Sequence, residues 1–270
     1  MNSSAPQIGF DRFIQIDWVS TALRIRAGTA ELDDLNVLLD AADLGKEAKA
    51  KTRTKLNALG LQPRQDLVDF ADRGVGLLRN EPSIPFAALA WGMAISTYPF
   101  FGKVAEITGR LTSIQGDCSS MEIHRRISEI FGDREVTKRA TQAVLQTQAN
   151  WGLIQRVDNG KRLIRLAPVR ILDDALAAWL LEGALRYSGK AMPVATLQSI
   201  AAVYPFTLDQ SLAHMLSSNP TLELRADGPS NRILSLRELS RDIHYRWSLL
   251  PPSESQHQYK RRRTDSTLTE

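Results

Sequence analysis

Apolar residues recur at three- and four-residue spacing through most of the first 115 positions, which predicts helices rather than strands. Ile14, Trp18, Ala22 and Ile25 fall on one helical face. Further helices are predicted over residues 31–39, 46–59 (stopped by Gly60), 63–78, 85–97 and 100–111. Pro63 and Pro85 suit first helical turns, because a first-turn N–H has no partner inside the helix. Pro99 breaks the pattern between the last two. Several helices with short connections and no strand signal imply a compact bundle over residues 1–120, led by a polar stretch at 1–9.

The pattern changes after residue 120. Residues 121–131 are amphipathic, with Ile123, Ile127 and Ile130 on one side, and Gly132-Asp133 makes a break. A long helix over 134–151 follows, turning Val136, Ala140, Val144, Leu145 and Ala149 inward. Gly152 stops it. Two short β-like runs, 153–157 and 163–166, bracket Asp158-Asn159-Gly160-Lys161-Arg162. Asn-Gly is a strong hairpin signal because both residues tolerate positive φ. Helix, break, long helix and basic-tipped hairpin make the layout of a winged helix over 121–172. A similar layout recurs over 173–240. Helices are expected at 175–187, 193–203 and 207–218, the last begun by Thr207 with Asp209 in its first turn. A hairpin follows around Asp227-Gly228-Pro229-Ser230. Residues 241–270, with Pro251-Pro252 and a polar run, read as a disordered tail. The expected fold class is therefore mainly α: a helical bundle followed by two winged-helix-like units with small β-hairpin wings.

Charge sharpens this division. The chain of 270 residues carries +4 overall. Residues 121–172 hold ten Lys/Arg against five acids, +5, whereas the second winged unit has five bases against seven acids. A basic stripe confined to one element is an electrostatic footprint for phosphate. On the long helix, Arg134, Lys138, Arg139, Thr141, Gln142 and Gln146 are candidates to enter a major groove. There Gln can read adenine, Arg can read guanine, and Lys or Thr can hold phosphates. Lys161 and Arg162 at the hairpin tip would reach the neighbouring backbone. The helix over 46–59 offers a second basic face in Lys46, Lys49 and Arg53, with Lys51 and Lys55 at its edge. A solvated charged face is the plainer account of each patch. The tail cluster Lys260-Arg261-Arg262-Arg263 is a further nonspecific candidate.

Other chemistries find little support. Cys118 is the single cysteine, so no intramolecular disulfide framework exists, and a reducing cytoplasm is the expected location. No apolar run reaches the roughly 18–20 residues of a membrane span. The longest, 84–101, is interrupted by Pro85, Gly92 and Pro99 and reads as a buried helix. No basic-then-apolar leader opens the chain. His124, His214, His244 and His257 are scattered without metal-ligand spacing. Cys118 and His124 lack a third, orienting group. No phosphate-binding glycine loop is present. Asp33-Asp34 and Asp173-Asp174 read as helix-start acids. Trp18, Trp91, Trp151, Trp179 and Trp247 each sit among apolar neighbours and are expected in the core. No enzyme activity, metal or cofactor is expected.

Several of these residues also resemble the BrxA family, small proteins of the BREX bacteriophage-exclusion systems. The basic helix ending Arg53-Thr54-Lys55-Leu56-Asn57-Ala58-Leu59 is similar to that family's early helix. Ala88-Leu89-Ala90-Trp91-Gly92-Met93-Ala94, followed by Tyr98-Pro99-Phe100-Phe101, resembles its Trp-containing stretch. Thr137-Lys138-Arg139 and Trp151-Gly152-Leu153-Ile154 resemble a later helix and turn. The resemblance covers roughly residues 10–170. It implies a helical domain joined to a DNA-binding winged helix without enzyme activity, with Arg53, Lys138 and Arg139 as matched basic positions. The unit at 173–240 departs from the family, whose members end soon after the first winged helix.

The function expected from these observations is a non-enzymatic, duplex-DNA-binding component of a bacterial anti-phage system. Two further readings stand beside it. One is a protein–protein adaptor using the acidic C-terminal unit to hold other defence-system proteins. The other is an operon transcription regulator, which would need a dimer and paired half-sites.

Overall fold

The structure is a computed structural model, and it describes residues 7–81, 83–208, 213–228 and 231–237. The N-terminal bundle contains α1 (Ile16–Ala27), α2 (Leu32–Ala41), α3 (Lys46–Leu56), α4 (Val68–Asn80), α5 (Phe86–Thr97) and α6 (Pro99–Gln115). Its helices follow the apolar spacing closely. Gly28 caps α1 in the left-handed conformation, a C-terminal role that suits a residue without Cβ. Glu31 and Asp34 form a reciprocal capping box at the start of α2. Pro99 opens α6 at its first turn. Gly60 does not stop the third helix, whose end widens into a π-turn over Asn57–Leu61. There Gly60 lies against the Ala22 backbone of α1, 3.2 Å from where a Cβ would sit.

The first winged unit is built from α6, β1 (Asp117–Ser119), α7 (Ser120–Phe131), α8 (Glu135–Asn150), β2 (Ile154–Val157) and β3 (Arg162–Arg165). The sheet order is β1-β3-β2, all antiparallel. Asp158, Asn159 and Gly160 all take positive φ at the hairpin tip, as the Asn-Gly signal requires. β1 has no sequence signature. Its three residues become a strand by pairing with β3, Cys118 opposite Leu163.

The second unit repeats that plan. α9 (Asp174–Ser188), β5 (Met192–Pro193), α10 (Val194–Gln198), α11 (Ala213–Ser218), β7 (Leu222–Ala226) and β8 (Arg232–Leu236) give the sheet order β5-β8-β7. Two expectations are corrected here. The helix expected over 193–203 is the short α10, then a separate single turn at Ala201–Val203. Thr207 does not begin a helix. It lies in β6 (Phe206–Thr207), which pairs in parallel with β4 (Val169–Arg170). Such a ladder depends on residues nearly forty positions apart and leaves no local trace. Asp209, Pro229, Ser230 and the tail at 241–270 lie outside the described residues.

One hydrophobic cluster runs from Phe10 to Leu234 through all three units. α9 is the element that joins them, with Leu176 through Leu185 buried. Trp179 stacks on Phe70 of α4, ring centroids 4.3 Å apart, and donates its indole N–H to the Phe70 carbonyl at 2.8 Å. Gly92 of α5 and Gly74 of α4 make room for the indole. A Cβ on them would sit 2.6 Å and 2.7 Å from Trp179 ring carbons. Beneath this seam Glu182, with 0% exposure, takes both arms of Arg73 at 2.6 and 2.8 Å, Arg186 at 2.8 Å and Asn219 at 3.1 Å. Burial alone would raise its pKa, but Arg73 and Arg186 outweigh it and hold the carboxyl below 4.5. Trp18, Trp91, Trp151 and Trp179 are core residues, while Trp247 lies outside the described residues. Among the described residues no helix is long and apolar enough to cross a membrane.

Candidate nucleic-acid interface

α8 stands where a winged helix carries its recognition helix, between α7 and the hairpin. Its inner face buries Ala140, Val144 and Leu145. The stripe of Glu135, Lys138, Arg139, Gln142 and Gln146 lies away from that face at three- and four-residue spacing, all exposed except Gln142, which is half-buried. Four of the candidates thus share one open face. Thr141 does not join them. It is fully buried, and its hydroxyl donates to the Thr137 carbonyl at 2.8 Å, so it holds no phosphate. Its position is 100° around the helix from Gln142, enough to turn it into the core.

Arg134 is the N-cap of α8 rather than its first residue, and its Nη2 donates to the Phe131 carbonyl at 2.9 Å. Arg139 pairs with Glu135 one turn back at 3.2 Å, with both side chains well exposed. Exposed pairs of this kind are worth roughly 0.2–1 kcal/mol, so a phosphate can displace the carboxylate cheaply. Lys138 makes no ion pair among the described residues and borders an open groove of about 530 Å³ against α7, beside His124 and Met121. His124 sits half-buried with Nε2 3.2 Å from the Lys138 carbonyl, and its burial lowers its pKa.

Two apolar expectations also change. Ile130 is 44% exposed and Val136 48% exposed. At the end of α7 it is Phe131, not Ile130, that turns inward, edge-on to Phe100.

The hairpin is fastened to the helix by a residue that sequence reasoning did not single out. Arg156 of β2 extends Nη2 to Gln142 Oε1 at 3.3 Å. Its Nε is closed off from solvent without a hydrogen-bond partner among the described residues, and burial depresses its pKa. Two-residue alternation along β2 was the available signal. It puts Arg156 on the same side as buried Ile154, toward α8. At the tip, Lys161 is exposed and free of ion pairs among the described residues. Arg162 is shared between Asp117 at 3.3 Å and Asp158 at 3.4 Å. Elsewhere the basic excess is partly internalised. Arg125 and Arg126 both bind Glu122, and they hold its carboxyl down to about 2.

The second basic patch is oriented differently from expectation. The face with Lys49 and Arg53 turns toward α2, where Asp40 takes Lys49 and Asn36 accepts from Arg53 at 2.7 Å. These two are structural contacts between helices; Lys46 of that face is exposed and has no ion pair among the described residues. The edge residue Lys51 instead faces α8. It lines a cavity of about 300 Å³ together with Asp11, Arg12, Val136 and Arg139. Lys55 is drawn to the N-terminal segment, 2.6 Å from the Gly9 carbonyl and 3.0 Å from Asp11. α3 and α8 thus do share a side of the molecule, through Lys51.

Cys118 is half-buried, and its thiol is pushed up to about 11, first by burial and then by Asp117 and Glu122. It is a protonated thiol near neutral pH, unsuited to nucleophilic attack.

No family model matches the chain. No curated protein matches it at a significant level. Among solved structures, the SspB crystal structure is similar at 14% identity, covering 96% of this chain and 91% of that one with a TM-score of 0.41.

Proposed function

We propose that this protein binds duplex DNA, without enzymatic activity of its own, by laying α8 in a major groove and the β2–β3 hairpin on the adjacent backbone. The observation that carries the reading is the outward stripe Lys138, Arg139, Gln142 and Gln146, tied through Gln142 and Arg156 to the basic tip Lys161-Arg162. Gln and Arg supply the bidentate edges that distinguish bases, and the lysines supply charge for phosphates. The BrxA-like resemblance extends the reading to a component of a BREX-like anti-phage system acting in the cytoplasm. That step rests on analogy, not on the site.

Salt dependence tests the DNA reading. Each phosphate neutralised by a cation contributes about 0.9 to the slope of log affinity against log salt. Fluorescence anisotropy with a labelled duplex across a salt series is expected to give a slope of several units. An affinity indifferent to salt, or no binding at low salt by folded protein, would contradict it.

One observation favours the adaptor reading for the second unit. Its first helix, α9, is fixed in the core, so the β7–β8 hairpin of this acidic unit is presented on a rigid base. Retention of partner proteins by variants lacking the α8 and hairpin cations would support that role.

A further inference from the structure

The cavity between the N-terminal segment, α3 and α8 gathers three cations from three separate stretches of chain: Arg12, Lys51 and Arg139. Lys51 and Arg139 each have a partner one turn back on their own helix, Glu47 and Glu135. Both pairs are exposed and exchangeable. Asp11, the one acid in the lining among the described residues, is engaged by Lys55. Arg12 differs from the others. It makes no hydrogen bond or ion pair among the described residues, and its Nε is shut off from solvent with no acceptor. Arg12 is otherwise half-buried, with one donor that lacks an acceptor, and Glu47 is an acid near enough to feel its charge.

The backbone just after Arg12 is anchored. The segment leading into α1 is strapped along α8 by three bonds. Ile14 N–H donates to Thr147 Oγ1 at 3.0 Å, Ile16 N–H to Asn150 Oδ1 at 2.7 Å, and Trp151 Nε1 to the Ile14 carbonyl at 3.0 Å. Ile14 and Thr147 are fully buried. The strap therefore delivers Arg12 to the flank of α8 beside Arg139, which already belongs to the outward stripe. An anchored backbone limits the positions that the Arg12 side chain can reach.

We propose that the Arg12–Lys51–Arg139 cavity is a subsite for a backbone phosphate of the bound duplex, which extends the interface from the winged helix onto the helical bundle. This rests on the DNA reading above. The chemistry is a phosphodiester held by two guanidinium groups and an ammonium, so it contributes affinity and register without base preference.

The test combines variants with a modified duplex. Arg12→Ala and Lys51→Ala are compared with wild type and with Lys190→Ala, which removes an exposed charge from the second unit. Circular dichroism confirms that each is folded. Arg12→Ala is expected to weaken duplex binding about three- to tenfold and to reduce the salt slope by about one. Lys51→Ala acts in the same direction, and Lys190→Ala leaves the slope unchanged. Duplexes carrying one neutral methylphosphonate linkage then locate the contact. Wild type should lose affinity at one linkage where Arg12→Ala is indifferent. If wild type binds duplex with salt sensitivity but both cavity variants keep its affinity and slope, the subsite is overturned and the DNA reading stands. If wild type binds no duplex at all, the DNA reading falls and the subsite falls with it.

Discussion

Arg156 of the hairpin reaches Gln142 of α8, Nη2 to Oε1 at 3.3 Å, so a side-chain hydrogen bond ties the hairpin to the helix. Gly160 makes this reach possible. Its φ is +80°, and a Cβ there would lie 2.9 Å from Arg156 Cζ. Gly160→Ala is therefore expected to cost about 1–2 kcal/mol for the left-handed residue, lowering Tm by several degrees. It should also weaken duplex binding by displacing Arg156. Thermal unfolding and anisotropy on the same preparation check both parts. Unchanged affinity in this variant would show that Arg156 is irrelevant to docking.

Thr141 and Gln142 are neighbours in sequence, but the 100° between them puts Thr141 in the core and Gln142 at its edge. Thr141→Val removes only a hydroxyl bonded to its own helix, so a stability change within about 1.5 kcal/mol is expected, with duplex affinity intact. Gln146→Ala, on the open stripe, should lower affinity with no loss of stability. A folded Thr141→Val protein that binds poorly would refute this orientation of the helix.

The seam between bundle and second unit depends on a void-free fit at Trp179. Gly92→Ala places a methyl 2.6 Å from the indole Cη2, and the stacked ring cannot swing aside without losing Phe70. Overpacking of this kind costs about 1–3 kcal/mol. Urea unfolding should show a lower midpoint; a midpoint equal to wild type would mean that the seam is looser than described.

Glu182 makes stability depend on acid. Its folded pKa lies below the ordinary 4.5, so its contribution is fully present above about pH 4.5 and is lost as pH falls through the folded value. Glu182→Gln leaves Arg73 and Arg186 without their counter-charge and is expected to cost about 3–5 kcal/mol near neutrality. The gap between wild type and variant should narrow as the solution is acidified. Parallel stability curves down to pH 3 would argue against the network.

The bundle was legible because each helix buries one stripe, and Ile14, Trp18 and Ala22 all reach the core as their spacing requires. The hairpin was legible because Asn159-Gly160 encodes its own turn. What escaped was set by partners distant in sequence. β1 exists only through β3, and Thr207 is a strand residue only beside Arg170. Lys49 and Arg53 shared a predicted face correctly, yet α2 came to lie against it. Arg12 carries no local signal, since the bonds that place it come from Thr147, Asn150 and Trp151.

The most direct test of the account is duplex binding by two charge reversals, Lys138→Glu/Arg139→Glu on α8 and Lys161→Glu/Arg162→Glu on the hairpin, measured by anisotropy at low salt against wild type. Docking through the first winged helix predicts that each reversal weakens binding at least about tenfold, since every lost phosphate contact also becomes a repulsion. Wild-type affinity in both variants would contradict it and move the search for a partner to the acidic second unit.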